Sequence, residues 1–475
     1  MLKTTDICIV GGGPAGSVLA IKLAQHGWGV CLVERATFPR RHLGESLTPG
    51  VLALLESIGA DRAIERAAFP RVHRVSVSWE EVRERDDPQG KGMLVDRGEF
   101  DRILLDQARN AGVMVLQPAM VKNLQSDGVG WKVTLEEVGR MTPVQVRFLA
   151  DATGRAGVLP RRRRRTGPRT IALHGYWSGK GLPGNPRIEA GSREWYWGVP
   201  LPDGTYNTLV FLDPRDLRAL PGSLEEKFLR LIASSSLLPP EAEAKLIDGV
   251  QAIDATPFLD EECVTANSIK VGDAAMALDP LSSSGVQKAI QSALAGAAVV
   301  NTLLKCPESG EIAKQFYHRS LDDASNSHRT WARGHYGKVA MKRPTSFWQE
   351  RAGKNEARPE TIDHLSAEMS PEIPVKLAPQ VSIVPTPCLV DDFITSRPAV
   401  TSPNLDAPVA FLGGVELAPL VCQVRPGMTQ AELVRHWMPE VPPSKGWAIA
   451  RWLIARGMLI SCENAVSPAV ERRAT

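Results

Sequence analysis

Residues 6–34 read DICIVGGGPAGSVLAIKLAQHGWGVCLVE, and this stretch decides the fold. Residues 6–10 are a short apolar run leading into Gly11-Gly12-Gly13-Pro14-Ala15-Gly16. Val18, Leu19, Ile21, Leu23 and Ala24 then recur at helical spacing as far as Gly27-Trp28-Gly29, and Val30-Cys31-Leu32-Val33-Glu34 supplies a second strand. Strand, glycine turn, helix and strand make a complete βαβ unit. Each glycine of the G-x-G-x-x-G has a physical task. Gly11 permits the tight turn, Gly13 lets the backbone approach a pyrophosphate, and Gly16 lets helix and strand pack closely. The first helical turn, with Ala15 and Gly16, offers free N–H groups and the positive end of the helix dipole to phosphates. Glu34, followed by Arg35, stands where a carboxylate binds ribose hydroxyls. That favours FAD or NAD over NADP.

Four downstream segments decide between the two. Val95-Asp-Arg97-Gly-Glu-Phe100-Asp101-Arg-Ile-Leu, Asp151-Ala-Thr-Gly154, Val271-Gly272-Asp273-Ala274-Ala275 and Asp279-Pro280-Leu-Ser-Ser-Ser-Gly285-Val286 follow in that order. Together they resemble the motifs of FAD monooxygenases. The resemblance implies that Arg97 lies beside the flavin and that Asp273 binds the ribityl chain. It also implies that Val121 gives backbone contacts near the adenine, and that Gly285 and Val286 offer N–H groups to the flavin ring. A helix N-terminus there would meet negative charge developing on the reduced ring. No second glycine fingerprint is flanked by strand and helix, so a dedicated NAD(P)H domain is absent. Electrons are expected from an external reduced flavin or NAD(P)H.

Arg40-Arg41-His42-Leu43-Gly44-Glu45-Ser46-Leu47 and Trp195-Tyr-Trp197-Gly-Val199-Pro200 narrow the match. With Asp279–Val286 they resemble the branch of flavin-dependent halogenases, geranylgeranyl-reductase-like enzymes and related monooxygenases, over roughly residues 5–340. Arg41 and Ser46 are carried over as cofactor-side residues, and Glu45 and Trp197 as residues near the substrate. Two departures matter. Halogenases of this type use a lysine expected near residues 70–90, where PRVHRVSVSWEEVRERDDPQG contains none and Trp79 stands instead. Tryptophan halogenases also carry a Glu after Asp-Pro-Leu, where this chain has Ser282.

The plan resembles, in particular, the flavoprotein monooxygenases of tryptophylquinone cofactor biogenesis in quinohemoprotein amine dehydrogenase. That resemblance implies hydroxylation of an indole through a C4a-hydroperoxyflavin, on a Trp of a small crosslinked polypeptide subunit. Trp79, Trp177, Trp195 and Trp197 are expected to line an aromatic slot over the flavin. No motif names the catalytic base. The rivals are a halogenase or polyprenyl-type reductase acting on a small molecule, and a flavin-bound scaffold without catalysis.

The expected architecture is α/β: a Rossmann-like FAD-binding domain (residues 1–70, 96–167 and 262–340) with an inserted, mainly antiparallel β-sheet substrate domain (71–95 and 168–261). Residues 341–475 form a Pro-rich arm and a small, mostly helical, winged-helix-like C-terminal domain. Its arm, 371–410, holds eight prolines and almost no periodicity. Thr429-Gln-Ala-Glu432 is a capping box opening a short helix, and a second helix follows over roughly 445–456. Arg161–Arg165 is a run of five arginines, either a solvated loop or a docking patch for an acidic partner.

Composition bounds the rest. The 475 residues are 43% hydrophobic and 23% charged, an ordinary globular balance for two or three domains. A net charge of +3 gives no case for nucleic acid. No apolar run approaches the ~18 residues of a membrane span, and the N-terminal apolar run is too short for a signal peptide. A cytoplasmic protein is expected. The seven scattered cysteines contain no CxxC pair and give no metal-site spacing.

Overall fold

The computed structural model describes residues 3–86, 92–353 and 370–462. They form two compact units, one within residues 1–354 and one within 355–475.

The first unit is built on strand Lys3–Val10. It pairs in parallel with Val30–Val33 on one side and with Arg140–Asp151 on the other. Met114–Leu116 and Ser268–Lys270 continue the parallel sheet, and Trp131–Glu137 and Met120–Ser126 extend it antiparallel. Val30–Val33 is buried at every position, as a parallel strand covered on both faces must be. Helix Pro14–Gln25 packs against the later helix Gly285–Lys305. A Cβ at Gly16 would lie 1.8 Å from the Gly11 carbonyl oxygen, so only glycine allows this helix to seat.

A second, seven-stranded sheet takes strands from residues 74–86 and from 171–254. It is antiparallel except where Arg187–Ala190 runs parallel to Arg74–Ser78. Successive side chains alternate between its faces. One face carries Trp195, Leu209 and Phe211, packed with Trp79 against Tyr336 of the long helix Gly310–Lys342 and against Phe347 and Trp348 of helix Ser346–Ala352. The other face carries Leu173, Trp177, Tyr196 and Val210 beneath Phe228 and Ile232 of helix Leu224–Ala233. Trp177 stacks on Phe228 and donates to Thr208 Oγ1 at 2.8 Å. It therefore does not join the other three tryptophans, contrary to expectation; strand alternation turns it the opposite way.

The expected start of the C-terminal part at residue 341 also shifts. Trp348 is wholly buried and meets Trp79 edge-on with ring centroids 5.5 Å apart. Helix Ser346–Ala352 thus completes the first unit.

In the second unit the Pro-rich segment is a packed element rather than an arm. Ser382–Val390 and Phe393–Thr401 form a hairpin in which Pro385 faces Pro398. A two-stranded ribbon leaves one edge of each strand unpaired, so prolines fit there. Asp391 and Asp392 make its two-residue turn, both at positive φ, the backbone such hairpins need. Helices Leu417–Cys422, Gln430–Trp437 and Pro443–Ala455 enclose a core around Leu433, Trp437 and Leu453, beside a three-stranded sheet. The Thr429–Glu432 capping box is formed.

Truncating Trp348 to Ala should remove about 3–5 kcal/mol of stability, the usual cost of deleting a buried aromatic. Chemical denaturation followed by near-ultraviolet circular dichroism measures it, and a loss below about 1 kcal/mol would show that the aromatic cluster is dispensable.

Candidate active site

The site runs along the carboxyl ends of the parallel strands. At its first end Gly11 has φ +106°, and a Cβ there would sit 2.4 Å from the Ala152 carbonyl oxygen. A Cβ at Gly13 would meet nothing within 4 Å. Helix Pro14–Gln25 begins with no side chain capping its first turn. Open space above Gly13 and uncapped N–H groups fit a pyrophosphate. Glu34 is buried and accepts the Gly12 and Ala36 N–H groups, each at 2.7 Å. A carboxylate has about four acceptor positions, so two remain for ribose hydroxyls. The Glu34 carbonyl accepts the Ala119 N–H at 2.8 Å, which brings the strand holding Val121 to the same end. Val121 is half-buried against the core beside it, and Arg35 is exposed.

The middle of the site is a charge cluster. A Cβ at Gly272 would lie 2.8 Å from the Ala15 Cβ, so the Gly272-Asp273 turn abuts the first helix. Asp273 receives Lys288 Nζ at 2.6 Å, and Arg155 Nε stands 3.8 Å away. Burial alone would raise the Asp273 carboxyl, but Lys288 and Arg155 outweigh it and hold it below the usual range. Asp151 is fully buried and accepts from Thr153, Val158 and Leu159. Its side chain therefore shapes the turn after the strand rather than facing a ligand.

At the far end, helix Gly285–Lys305 starts with Gly285 exposed, no side-chain cap, and no atom within 4 Å of a Cβ placed on Gly285. Val286 is buried. This open N-terminus can face an electron-rich ring edge. Residues 43–50 lie against it: a Gly44 Cβ would be 3.6 Å from Val286 Cγ2, and Thr48 bonds Gln287. Ser46, half-buried, pairs with Leu94 in a short strand.

Arg97 binds Asp101 with two bonds of 3.1 and 3.2 Å, and also donates to the Leu43 carbonyl. Arg97 is 6% exposed. It holds the 43–45 loop rather than reaching freely into the site. Arg41 pairs with Asp248 and lies 4.9 Å from the Tyr176 ring centroid. It is turned towards the second sheet.

Glu45 joins the two halves. It is 4% exposed and accepts from Tyr176 Oη at 3.1 Å, Asn207 Nδ2 at 2.8 Å and the Gly44 N–H at 2.9 Å. Burial raises its carboxyl above the usual range despite these bonds. His174, buried one alternate position from Tyr176, meets its ring edge-on at 5.8 Å, and burial lowers its imidazole. Trp197 is half-buried and packs against the aromatic cluster of Trp79 and Trp195. Trp79 Nε1 donates to the His335 carbonyl at 3.0 Å. Residues 87–90, the end of the segment searched for a lysine, lie outside the described residues, as does Lys91, which directly follows it.

Lys288, Tyr176, Asn207 and His174 were not marked by any motif. Lys288 carried a signal: a lysine in the first turn of a helix with no other charge before Lys305, where a dipole disfavours it unless a carboxylate faces it. The arginine run does not stand free. Arg162 pairs with Glu262 at 3.3 Å, and Arg164 pairs with Glu261 and Asp322, each at 3.6 Å. Among the described residues no cluster of three metal-ligating side chains occurs and no helix is long and apolar enough to cross a membrane.

Asp273→Ala should weaken FAD binding by about tenfold or more, the loss expected when a charge-assisted hydrogen-bonding group is removed. The flavin-to-protein absorbance ratio after gel filtration reads it; full flavin occupancy in the variant would remove Asp273 from the cofactor site.

Comparison with known proteins gives the family. A model described as FAD binding domain matches residues 4–171, and one described as Tryptophan halogenase matches residues 91–371. A tryptophan 2-halogenase of Chondromyces crocatus is 32% identical over 372 residues, 73% of this chain and 70% of that protein. A flavin-dependent halogenase of Armillaria mellea is 28% identical over 365 residues, 66% of this chain and 68% of that protein. Among solved structures, QhpG, a peptidyl tryptophan dihydroxylase essential for tryptophylquinone cofactor biogenesis, is 30% identical with a TM-score of 0.76, covering 96% of this chain and 99% of that one. The flavin-dependent halogenase CmlS shares the fold at 21% identity and a TM-score of 0.77, covering 98% and 97%. This chain is a flavoenzyme with FAD as its cofactor and belongs to the tryptophan-halogenase family of flavin-dependent oxidoreductases.

Proposed function

We propose that this protein is an FAD-dependent monooxygenase that hydroxylates an indole ring, a Trp residue of a polypeptide destined to become a tryptophylquinone cofactor. The observation that carries this reading is full-length correspondence combined with identity: the peptidyl tryptophan dihydroxylase matches along 96% of this chain, the C-terminal unit included, at 30% identity. The halogenase CmlS covers 98% but at 21% identity, and the tryptophan 2-halogenase, at 32%, corresponds over 73% of the chain only. Trp79, buried among aromatic rings in the stretch searched for the halogenase lysine, points the same way.

FAD, reduced by an external flavin or NAD(P)H and met by oxygen, supplies an electrophilic oxygen atom. One atom of O2 goes to the ring carbon, the other leaves as water, and the two electrons come from the reductant. The protein's part is to hold the cofactor, place the ring and accept the departing ring proton. Gly11, Gly13, Ala15 and Gly16 would cradle the pyrophosphate, Glu34 would hold the ribose, Val121 would lie by the adenine, and Asp273, oriented by Lys288, would bind the ribityl chain. Arg35, exposed beside Glu34, and Ser46, next to Glu45, would be further cofactor-side residues. Gly285 and Val286 present N–H groups to the ring edge. Arg97 and Arg41 act indirectly, by fixing the 43–45 loop and the Tyr176 ring. Trp197 contributes to the aromatic wall of the substrate slot. Glu45 takes the proton from the ring carbon, and burial, which raises its carboxyl above the usual range, makes it a stronger base than an exposed glutamate. Tyr176 and Asn207 hold its carboxylate in place.

A second reading, halogen transfer to a small molecule, is favoured by the curated relatives, which are named as halogenases. One experiment separates the two. Reduced FAD, air and halide are supplied with a crosslinked Trp-bearing polypeptide or with free Trp, and products are mapped by fragment mass spectrometry. Oxygen on a polypeptide Trp supports the proposal; halogen on the free amino acid replaces it.

Two variants test the assignment of Glu45. Glu45→Gln should keep FAD bound yet lower turnover by about 10²–10⁴, the contribution of a general base. Tyr176→Phe should move the acid limb of the rate profile to higher pH, because the lost hydrogen bond stabilises the carboxylate against protonation. An unmoved limb would show that Glu45 is not the titrating base. A chain ending after Gly353 should bind FAD normally and lose activity on the polypeptide, and full activity would make the C-terminal unit an accessory.

A further inference from the structure

We propose that a pocket beside the active site, built around Arg351, binds a carboxylate group of the substrate. The pocket lies between the long helix Gly310–Lys342, residues 166–168 and the Leu278-Asp279 end of the segment leading to Gly285. Its volume of about 50 Å³ holds a carboxylate or a few waters. It adjoins the active site through His328, which lines it and whose Nε2 lies 2.6 Å from the Ser282 hydroxyl just before Gly285.

Arg351 enters the wall from helix Ser346–Ala352 and is 3% exposed. Its hydrogen bonds go to neutral oxygens only: the Phe347 carbonyl at 3.3 Å, the Arg169 carbonyl at 3.3 Å and Thr170 Oγ1 at 2.8 Å. Its Nε has no hydrogen-bond partner among the described residues. The Phe347 ring centroid, 3.6 Å from Cζ, fixes the plane of the guanidinium. A buried guanidinium with no anion hydrogen-bonded to its fork is costly, and that planar fork matches a carboxylate.

Three carboxylates, Asp279, Asp213 and Glu350, act on Arg351 through space, but none is hydrogen-bonded to it. Glu350 and Asp213 are taken by Arg215 at 2.9 and 3.0 Å, and Asp279 accepts the Tyr336 hydroxyl at 2.8 Å and the Leu281 N–H at 3.1 Å. Arg329 and Arg333 also line the wall, so three cations face two engaged carboxylates. The inference rests on the proposed function for the source of the group, an acidic side chain near the target Trp. The α-carboxylate of free Trp has the same chemistry, and kinetics tell the two apart.

The test uses the full-length, FAD-loaded protein and sodium acetate as the probe. Thermal unfolding is followed at constant ionic strength while acetate replaces chloride. Acetate should raise the melting temperature in a saturable manner. Arg351→Met should lose that rise. Arg333→Gln, at a half-exposed position whose change spares the core, should raise the half-saturating acetate concentration by about tenfold. No acetate-specific rise in the unaltered protein overturns the proposal, as does an undiminished rise in the Arg333 variant. An equal rise in chloride overturns the assignment to a carboxylate. Acetate should also raise KM for the substrate without lowering kcat. Changing the acidic residue of a polypeptide substrate to its amide should raise KM in the same way if the side chain is the source, whereas acetate competing only against free Trp overturns the polypeptide source. If no polypeptide is oxygenated but acetate still stabilises through Arg351, the proposed function fails and the pocket stands.

Discussion

The site depends on one buried ion pair. Arg97 and Asp101 sit almost out of water, joined by two hydrogen bonds, and the same guanidinium binds the Leu43 carbonyl. Removing one partner of such a pair leaves an uncompensated charge and typically costs about 3–5 kcal/mol. The carbonyl bond carries that rigidity into residues 43–50, which have little regular structure of their own. Gly44 must be glycine there, at φ +99° and with the Arg97 Nη1 2.6 Å from where a Cβ would stand. From this fixed point the loop reaches Gln287 through Thr48 and the second sheet through Glu45. The cofactor-side helix and the substrate-side sheet are thus registered against each other by a single guanidinium.

Much of this was legible in the residues. The glycine fingerprint fixes backbone geometry by steric exclusion, and Gly11 and Gly16 are held in contacts that no side chain could enter. The discontinuous arrangement, a parallel sheet interrupted by an antiparallel one, followed from the two styles of apolar pattern. What was hidden is what depends on partners distant in sequence. Glu45 stood out from its motif, but nothing local indicated that Tyr176 and Asn207 would bind it. Trp177 looked equivalent to Trp195 and Trp197, yet the parity of its strand position turns it away.

Proline content misled in an instructive way, and the arginine run, open between a solvated loop and a docking patch, gains acidic neighbours in the fold. Five consecutive arginines imply a basic patch only if nothing acidic lies opposite. Here a β-pairing between Arg163–Arg165 and Phe258–Asp260 brings Glu261 and Glu262 alongside, and stacks Arg163 on Phe258 at 4.2 Å. Eight prolines imply an extended arm only if each one blocks a needed hydrogen bond. In a two-stranded hairpin half the N–H groups have no ladder partner, so Pro385 and Pro398 remove nothing.

The aromatic seal at Trp348 has a consequence for how the chain is made. Trp79 and Trp195 leave the ribosome long before the helix that covers them. Until Trp348 emerges, the nascent sheet presents a face of large aromatic rings to its surroundings. The contact joins distant points of the chain, a class of contact that forms slowly and leaves incomplete intermediates prone to association. Slower translation or added chaperone capacity should therefore improve the yield of folded protein.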